Sequence, residues 1–264
     1  MQLDIVVMSK TGGRDHNEDA CGAWSSPGAS FCVLSDGLGG HNGGEVASKL
    51  VVRHLLEWFR MRPACSPEAV AQALAASNAA LLEEQSRVPG LSDMRATAVV
   101  LAMDTMDAVA TWGHVGDSRL YYFKRGGIVA QTRDDSVVQE MVDAGYLPPQ
   151  QLRSSPHRNK LLAALGNEAN VEPHVVSKAF VMEDGDAFLL CSDGFWEYVE
   201  EEEMERTLAA ADTAGDWLGA LEHSIIARGR KGQDNYSAIA VWCRDPLESA
   251  DAEPTLPPGR QWIV

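Results

Sequence analysis

Five aspartates stand where an apolar, strand-like run meets a turn. Asp36 follows the apolar run 31–34 and precedes the glycine-rich segment 37–40, and Asp193 follows the apolar run 187–191 in a second Ser-Asp-Gly sequence. The other three flank further strand-like runs: Asp19, Asp117 and Asp234. Carboxylate oxygens select hard ions such as Mg²⁺ or Mn²⁺ over zinc, and two ions that share bridging carboxylates need a set of this kind. The pattern predicts a divalent-cation site, although one strand ending in Asp-Gly is more often an ordinary turn.

Arg14 lies in a polar loop beside several acidic residues. The ordinary interpretation is a surface salt bridge. The functional interpretation is an oxyanion clamp next to the cations, because a guanidinium matches phosphate oxygens two at a time. His41, His114 and His157 have no zinc-type spacing, and we interpret them as structural.

The elements that must position these residues follow from apolar periodicity. Strands are predicted over 3–9, 20–24, 31–34, 97–103, 108–112, 120–123, 128–131, 171–182, 187–191 and 237–242. Helices are predicted over 44–62, 67–86, 134–144, 159–165 and 216–230, with another opened by the acidic run 200–203. Runs of strands separated by pairs of helices favour an antiparallel sandwich with outer helices, of the α+β class, over alternating βαβ units.

Composition limits the classes of partner. The chain has 264 residues, 45% of them hydrophobic, with 22 basic and 38 acidic side chains and a net charge of -16. This charge argues against non-specific binding to nucleic acid or to anionic membranes. No apolar run has membrane-spanning length, and the N-terminal segment lacks the features of a signal peptide, so we expect a cytoplasmic monomer. Five cysteines without paired spacing predict reduced, buried thiols.

Taken together, the motifs resemble the metal-dependent protein phosphatases of type 2C, in their compact bacterial branch. The matching segments, in the order of that family, are Arg14-Asp15-His16-Asn17-Glu18-Asp19-Ala20, Ser35-Asp36-Gly37-Leu38-Gly39-Gly40-His41, Val115-Gly116-Asp117-Ser118-Arg119, Ser192-Asp193-Gly194 and Asp234-Asn235. Each motif alone is weak, whereas five in order over residues 3–244 are specific. The resemblance implies a four-layer α-β-β-α sandwich with two central, mainly antiparallel sheets and a metal centre at one edge of both.

The resemblance also implies six metal ligands, which are Asp19, Asp36, Gly37, Asp117, Asp193 and Asp234. Asp36 would bridge two core ions, and Gly37 would give its backbone carbonyl to one of them. Asp193 and Asp234 would bind the other ion. Asp117 matches the position that, with Asp193, serves a third and weaker ion in bacterial members. Asp19 would bind an ion directly or through a water molecule.

The implied activity is Mg²⁺- or Mn²⁺-dependent hydrolysis of phosphoserine and phosphothreonine in a protein that a serine/threonine kinase has phosphorylated. A hydroxide shared by the two ions would attack phosphorus in line with the leaving oxygen. Arg14, Asp36 and Asp193 would be catalytic, with Arg14 binding the phosphate. One alternative is a pseudophosphatase, which would lack an aspartate at position 36, 193 or 234. Another is a small-molecule phosphoesterase, since the fold alone does not set the substrate.

The sequence departs from the family pattern at several positions. Leu38 stands where many eukaryotic members have a histidine that could act as general acid, and we do not assign His41 as the general acid. The usual Asp-His-Ser is Asp134-Asp135-Ser136, and the usual Gly-Thr-Thr is Arg95-Ala96-Thr97. These differences are expected to affect selectivity or local packing more than the metals.

Three parts of the chain are therefore expected. Residues 1–244 form the phosphatase domain. A flap at about 135–165 lies beside the active site and is a natural place for substrate selection. Residues 245–264, rich in proline and acidic side chains, form a flexible tail.

Overall fold

The computed structural model describes residues 1–39, 43–167, 170–245 and 261–263, the last three by backbone only. The strands are β1 (Gln2–Lys10), β2 (Asp19–Ser25), β3 (Ala29–Leu38), β4 (Arg95–Ala96), β5 (Ala98–Asp104), β6 (Val109–Val115), β7 (Arg119–Lys124), β8 (Gly127–Gln131), β9 (His174–Val175), β10 (Phe180–Val181), β11 (Ala187–Cys191), β12 (Tyr236–Arg244) and β13 (Gln261–Ile263). The helices are α1 (Gly43–Met61), α2 (Pro67–Arg87), α3 (Val137–Asp143), α4 (Asp193–Trp196), α5 (Glu201–Ala209) and α6 (Ala214–Arg228).

The strands form two sheets in which every described ladder is antiparallel. The first sheet has the order β1-β12-β11-β7-β8. The second has the order β10-β6-β5-β3-β2-β13, with β4 paired to β3 and β9 paired to β6. The α+β class with two antiparallel sheets is confirmed.

Three apolar cores separate four layers. One lies between the two sheets, one between the first sheet and α4 to α6, and one between the second sheet and α1 with α2. Strand alternation supplies two cores at once, because successive side chains point to opposite faces. In β3, Phe31 and Val33 face the helices, whereas Cys32 and Leu34 face the other sheet. The α-β-β-α order expected from the sequence is therefore observed.

The long predicted helices are confirmed with small shifts at their ends. Ser66 caps α2, because its hydroxyl accepts a hydrogen bond from the amide of Ala69 at 3.2 Å, and Pro67 occupies the first turn. The acidic run begins at Glu200, the N-cap of α5, and continues through the first turn, where carboxylates complement the helix dipole.

Two predicted elements are wrong. The helix predicted over 159–165 is absent, because its backbone pairs elsewhere: Leu161 bridges Ser136, and Leu165 bridges Ala96. The long strand predicted over 171–182 is only two short strands, β9 and β10, which pair with separate parts of β6. Pro173 has no amide hydrogen to continue a ladder into the first of them.

The expected tail lies mostly outside the described residues, as does His41. Within the tail, residues Gln261–Ile263 form β13, which pairs antiparallel with β2. The expected flap contains α3 and a short 3-10 turn, Pro149–Gln151.

All five cysteines are free thiols, four of them buried and Cys65 half-buried, as the sequence predicts. Burial raises the pKa of the Cys65 thiol to about 12. No helix in the described part of the chain is both long and apolar enough to cross a membrane.

Candidate active site

The two sheets bring the five aspartates to one end of the sandwich. Asp19 opens β2 and lies directly opposite Asp36 near the end of β3. Asp117 stands in the turn between β6 and β7, Asp193 opens α4 one residue after β11, and Asp234 precedes β12. Because antiparallel neighbours alternate in direction, strand starts and strand ends from separate parts of the chain meet at the same edge.

Burial and mutual repulsion dominate the electrostatics of this cluster. Burial raises the pKa of Asp36 well above its usual value, and the charges of Asp19, Asp193, Asp117 and Asp234 raise it further. Burial is also the largest cause of the raised pKa of Asp193, and the charge of Asp117 is the second. For Asp19 and Asp117, burial is again the first cause, and their pKa values rise to about 6 and about 7 respectively. Like charges held together in this way disfavour their own ionisation.

The donor set fits divalent cations. Its members are hard oxygen ligands. Burial raises the pKa of Asp19, Asp36, Asp117 and Asp193, and such carboxylates are costly to ionise unless a positive charge lies among them. Within the described residues, no three side chains of His, Cys, Asp or Glu already form a ready ligand shell. The cluster is therefore defined by its hydrogen bonds and charge interactions rather than by ligand distances.

Asp19 is held from the opposite sheet by Ser192. The Ser192 hydroxyl donates to Asp19 Oδ2 at 2.7 Å and accepts from the amide of Ser237 at 3.0 Å. Ser192 is fully buried and Asp19 is 2% exposed. This bond joins β2 of the second sheet to the end of β11 in the first, so the serine of the second Ser-Asp-Gly sequence orients a carboxylate from another motif.

Asp36 is held through its backbone by Thr97. The Asp36 amide donates to Thr97 Oγ1 at 2.9 Å, and the Thr97 amide donates to the Asp36 carbonyl at 2.8 Å. Thr97 Oγ1 also shares a hydrogen bond of 2.7 Å with Ser118 Oγ, next to Asp117. One threonine therefore links the loops of two candidate ligands.

Gly37 is a glycine because no side chain fits there. A Cβ atom on Gly37 would lie 2.0 Å from the carbonyl oxygen of Gly44. The Gly37 amide donates a hydrogen bond to the Glu18 carbonyl at 3.0 Å. A Cβ atom on Gly44 would lie 2.7 Å from both the Gly37 carbonyl oxygen and Glu18 Oε1. The Gly37 carbonyl and the Glu18 carboxylate therefore converge at the start of α1, beside Asp36.

Asn235 fastens the loop that carries Arg14 to the loop that carries Asp234. Its side-chain oxygen accepts from the Glu18 amide, and its side-chain nitrogen donates to the carbonyls of Thr11 and His16, each at 2.8 Å. These bonds use both donors and one acceptor position of the amide group, which fixes its orientation.

Arg14 reaches the edge of the cluster. Its guanidinium donates to Asp234 Oδ2 at 2.8 Å, and about half of its side chain (53%) is exposed. The ordinary salt-bridge interpretation is thus observed, and its partner is one of the candidate metal ligands. A guanidinium at this exposed rim can bind an incoming phosphate without entering the core.

Some residues near the cluster were not assigned from the sequence. Glu197 follows Asp193 by one helical turn, contributes charge at Asp193 and Asp117, and forms an ion pair with Arg158. The four-residue spacing on a helix was the signal for it. Arg119, which belongs to a matching motif, lies outside the cluster and forms a buried pair with Asp134 at 2.8 Å.

Asp117 is anchored from the other side of its loop by Trp196. The indole Nε1 donates to the Asp117 backbone carbonyl at 2.9 Å. Trp196 is itself fixed, because the Arg119 guanidinium stacks over its ring at 3.6 Å from the centroid.

Comparisons with known proteins agree with this geometry. The family model described as protein phosphatase 2C matches residues 9–223. The chain is 35% identical over 232 residues to the serine/threonine protein phosphatase PstP of Mycobacterium tuberculosis, which covers 86% of this chain but only 42% of that relative. It is 30% identical over 234 residues to the serine/threonine phosphatase stp of Listeria monocytogenes, covering 86% of this chain and 90% of the relative.

The structure is also similar to that of the catalytic domain of PstP in complex with two manganese ions. The TM-score is 0.79 at 28% identity, with 92% of this chain and 99% of that chain covered.

Proposed function

The chain belongs to the protein phosphatase 2C family, and from that premise we propose that it is a Mg²⁺- or Mn²⁺-dependent phosphatase acting on phosphoserine and phosphothreonine. The observation that carries the proposal is the cluster of five partly or fully buried aspartates from five separate segments, because bound cations would allow these like charges to be ionised side by side. The similar PstP structure that contains two manganese ions supports the same ions here.

We propose the following ligands for the ions: Asp19, Asp36, Gly37, Asp117, Asp193 and Asp234. The convergence of the Gly37 carbonyl with Glu18 beside Asp36 supports one core site, and the charge interaction of Asp193 with Asp234 supports the other. Bound there, the ions would supply a water activated for in-line attack on phosphorus and would neutralise the phosphoryl oxygens. Asp117 would serve the third, weaker site.

The protein's own groups orient this centre and the substrate. Arg14 would bind the phosphate in two-point fashion, exchanging its bond to Asp234 for the phosphoryl oxygens. Ser192 holds the Asp19 carboxylate and Thr97 holds the Asp36 backbone, so both residues are positioned before substrate arrives.

The two alternatives make different demands on the site. A phosphoprotein-binding pseudophosphatase would need a broken ligand set, but positions 36, 193 and 234 are all aspartate. A small-molecule phosphoesterase would use the same cluster, so the two activities are separated by substrate and not by the site.

The test compares three substrates with Mn²⁺ present: a phosphothreonine peptide, a generic aryl phosphate and a nucleotide. We expect turnover of the first two, loss of activity with a chelator, and loss with Asp36→Ala or Asp193→Ala. Activity that survives both substitutions would contradict the metal cluster. Preferential turnover of the nucleotide would favour the small-molecule alternative.

The proposal extends to the setting of the enzyme. We infer a cytoplasmic monomer that opposes a serine/threonine kinase, with a phosphatase domain over 1–244, a substrate-selecting flap at 135–165 and a tail at 245–264. Its support is the charge and composition of the chain and its family. Light scattering of the purified protein, and a comparison of phosphoproteins with and without the gene, test these points.

A further inference from the structure

The carboxylate of Asp135 clamps the backbone next to Asp117. Asp135 Oδ2 accepts from the Gly116 amide at 2.8 Å, and the Asp135 amide donates to the Gly116 carbonyl at 3.0 Å. Gly116 has φ +100, and a Cβ atom there would lie 2.7 Å from the Thr97 side chain. This residue is therefore held on both polar groups in a conformation that only glycine adopts readily.

The second oxygen of the same carboxylate binds His174. Asp135 Oδ1 lies 2.9 Å from His174 Nε2, and Asp135 is 7% exposed. His174 lies on β9 and stacks on His114, whose Nε2 contacts the carbonyl of Arg133 at 2.7 Å. The carboxylate thus joins β9 to the loop that precedes β7.

Asp135 also ties together the two ends of the flap at 135–165. Its carbonyl accepts from the amide of Leu162 at 2.7 Å. Ser136, the next residue, is the N-cap of α3, where its hydroxyl accepts from the Gln139 amide at 3.2 Å. The first and last turns of the flap therefore meet at one residue, which is bonded to the loop of a candidate metal ligand.

The residue type matters for this junction. A histidine side chain in place of Asp135 would offer fewer acceptors to the two groups that meet here. A neutral imidazole accepts only one hydrogen bond, whereas a carboxylate accepts from two donors on its two oxygens. Asp135 can therefore bind the Gly116 amide and an N–H of His174 together, and the two residues act as a matched pair.

We propose that Asp135, supported by His174, is a positioning residue that sets the place of Asp117 and of both ends of the flap. It acts on Asp117 through the Gly116 backbone. This inference rests on the proposed function, because that function assigns Asp117 as a ligand of the most weakly bound ion.

The experiment measures amide hydrogen exchange in the ion-free protein and Mn²⁺ binding, for the wild type and two substitutions. Asp135→Ala removes both acceptors, and we expect the Gly116 amide to exchange at least tenfold faster. We also expect the weakest Mn²⁺ to bind roughly tenfold less tightly, the lower end of what supporting residues of metal sites contribute. Asp135→Asn keeps an acceptor for the Gly116 amide but loses the one that faces His174, so it should match His174→Ala, with Gly116 exchange about threefold faster than in the wild type, and should lose less Mn²⁺ affinity than Asp135→Ala.

Asp186→Ala is the matched control for Asp135→Ala. Asp186 is also a buried aspartate that accepts from Tyr122 Oη at 2.7 Å and from an amide, but it precedes β11 at the opposite end of the sandwich. This substitution should lower stability without changing Gly116 exchange or Mn²⁺ binding. His174→Ala, at a largely exposed residue, keeps the test valid if Asp135→Ala does not fold, and should speed Gly116 exchange about threefold.

Wild-type exchange at Gly116 in Asp135→Ala and His174→Ala would overturn the proposal, as would equal losses in Asp135→Asn and Asp135→Ala. Failure of the proposed function would look different. The wild type would then bind no Mn²⁺, while the exchange measurements would still report on the clamp.

Discussion

Ser192→Ala is the substitution that separates support of the metal centre from simple packing. The serine hydroxyl donates to Asp19 Oδ2 at 2.7 Å and accepts from the Ser237 amide at 3.0 Å, in a place without solvent. A hydrogen bond to a charged group is worth about 1.5–3 kcal/mol. At about 1.4 kcal/mol for each factor of ten, its loss predicts that Mn²⁺ binds roughly 10- to 100-fold more weakly.

Lost orientation of the carboxylate is one part of this effect, and competition between a proton and the ions for the same carboxylate is the other. The hydrogen bond from Ser192 favours the ionised form of Asp19 and opposes the rise that burial gives to its pKa. Without this bond the pKa of Asp19 rises further, so the carboxylate is protonated more often at neutral pH and binds cations less. The loss of Mn²⁺ affinity should therefore shrink as the pH is raised.

Calorimetric titration with Mn²⁺ and denaturant unfolding of the ion-free protein give the two numbers needed. Ser30→Ala is the control, because Ser30 is also buried and shares a hydrogen bond of 2.8 Å with Ser25, at the far ends of β2 and β3. We expect both substitutions to lower the free energy of unfolding, and only Ser192→Ala to weaken Mn²⁺ binding. Equal Mn²⁺ affinities in the two variants would refute the role given to Ser192.

Three further predictions concern the fold around the site. Gly37→Ala should destabilise the protein by several kcal/mol in denaturant unfolding, because the new Cβ atom would lie 2.0 Å from a carbonyl oxygen. Gly219→Ala, in an open position on α6, should instead stabilise the protein by about 0.5–1 kcal/mol. Equal effects of the two substitutions would contradict the packing described at Gly37. Removing the residues after Asp245 should speed hydrogen exchange at 22–24 on β2, where β13 pairs, and unchanged exchange would show that this pairing does not protect the edge. Glu203→Gln should lower the free energy of unfolding at pH 7, because ion pairs and a hydrogen bond outweigh burial and lower the pKa of Glu203 below its ordinary 4.5. The stability that the charged Glu203 contributes is present above pH 4.5 and is lost as the pH falls through the pKa of the folded state. A difference between the variant and the wild type that persists at about pH 2 would contradict this prediction.

The sequence predicts the long elements well because their signals are local. Strands β3 and β11 are each marked by an apolar run just before a Ser-Asp-Gly sequence, which lies inside the end of β3 and follows β11, and α2 begins after its N-cap Ser66 with a proline in its first turn. The segments predicted over 159–165 and 171–182 failed for a different reason. Their structure is decided by pairing with Ser136, Ala96 and β6, which lie far away in the chain.

The same division holds for the candidate site. Asp36 and Asp193 stand out in the sequence because each ends a buried strand in the same three-residue pattern. The roles of Ser192 and Thr97 could not be predicted, because each holds an aspartate or its backbone across a gap between distant segments. The clamp formed by Asp135 was also hidden, since the sequence shows only that an expected histidine is missing.

Counting the Mn²⁺ ions bound per chain is the most direct test of the metal centre. Calorimetric titration of the wild type near neutral pH should show at least two bound ions, and Asp36→Ala should abolish the tight binding because this carboxylate lies among the other four. Absence of Mn²⁺ binding in the wild type, or equally tight binding by the Asp36→Ala variant, would contradict the assignment of the aspartate cluster as a two-metal phosphatase centre.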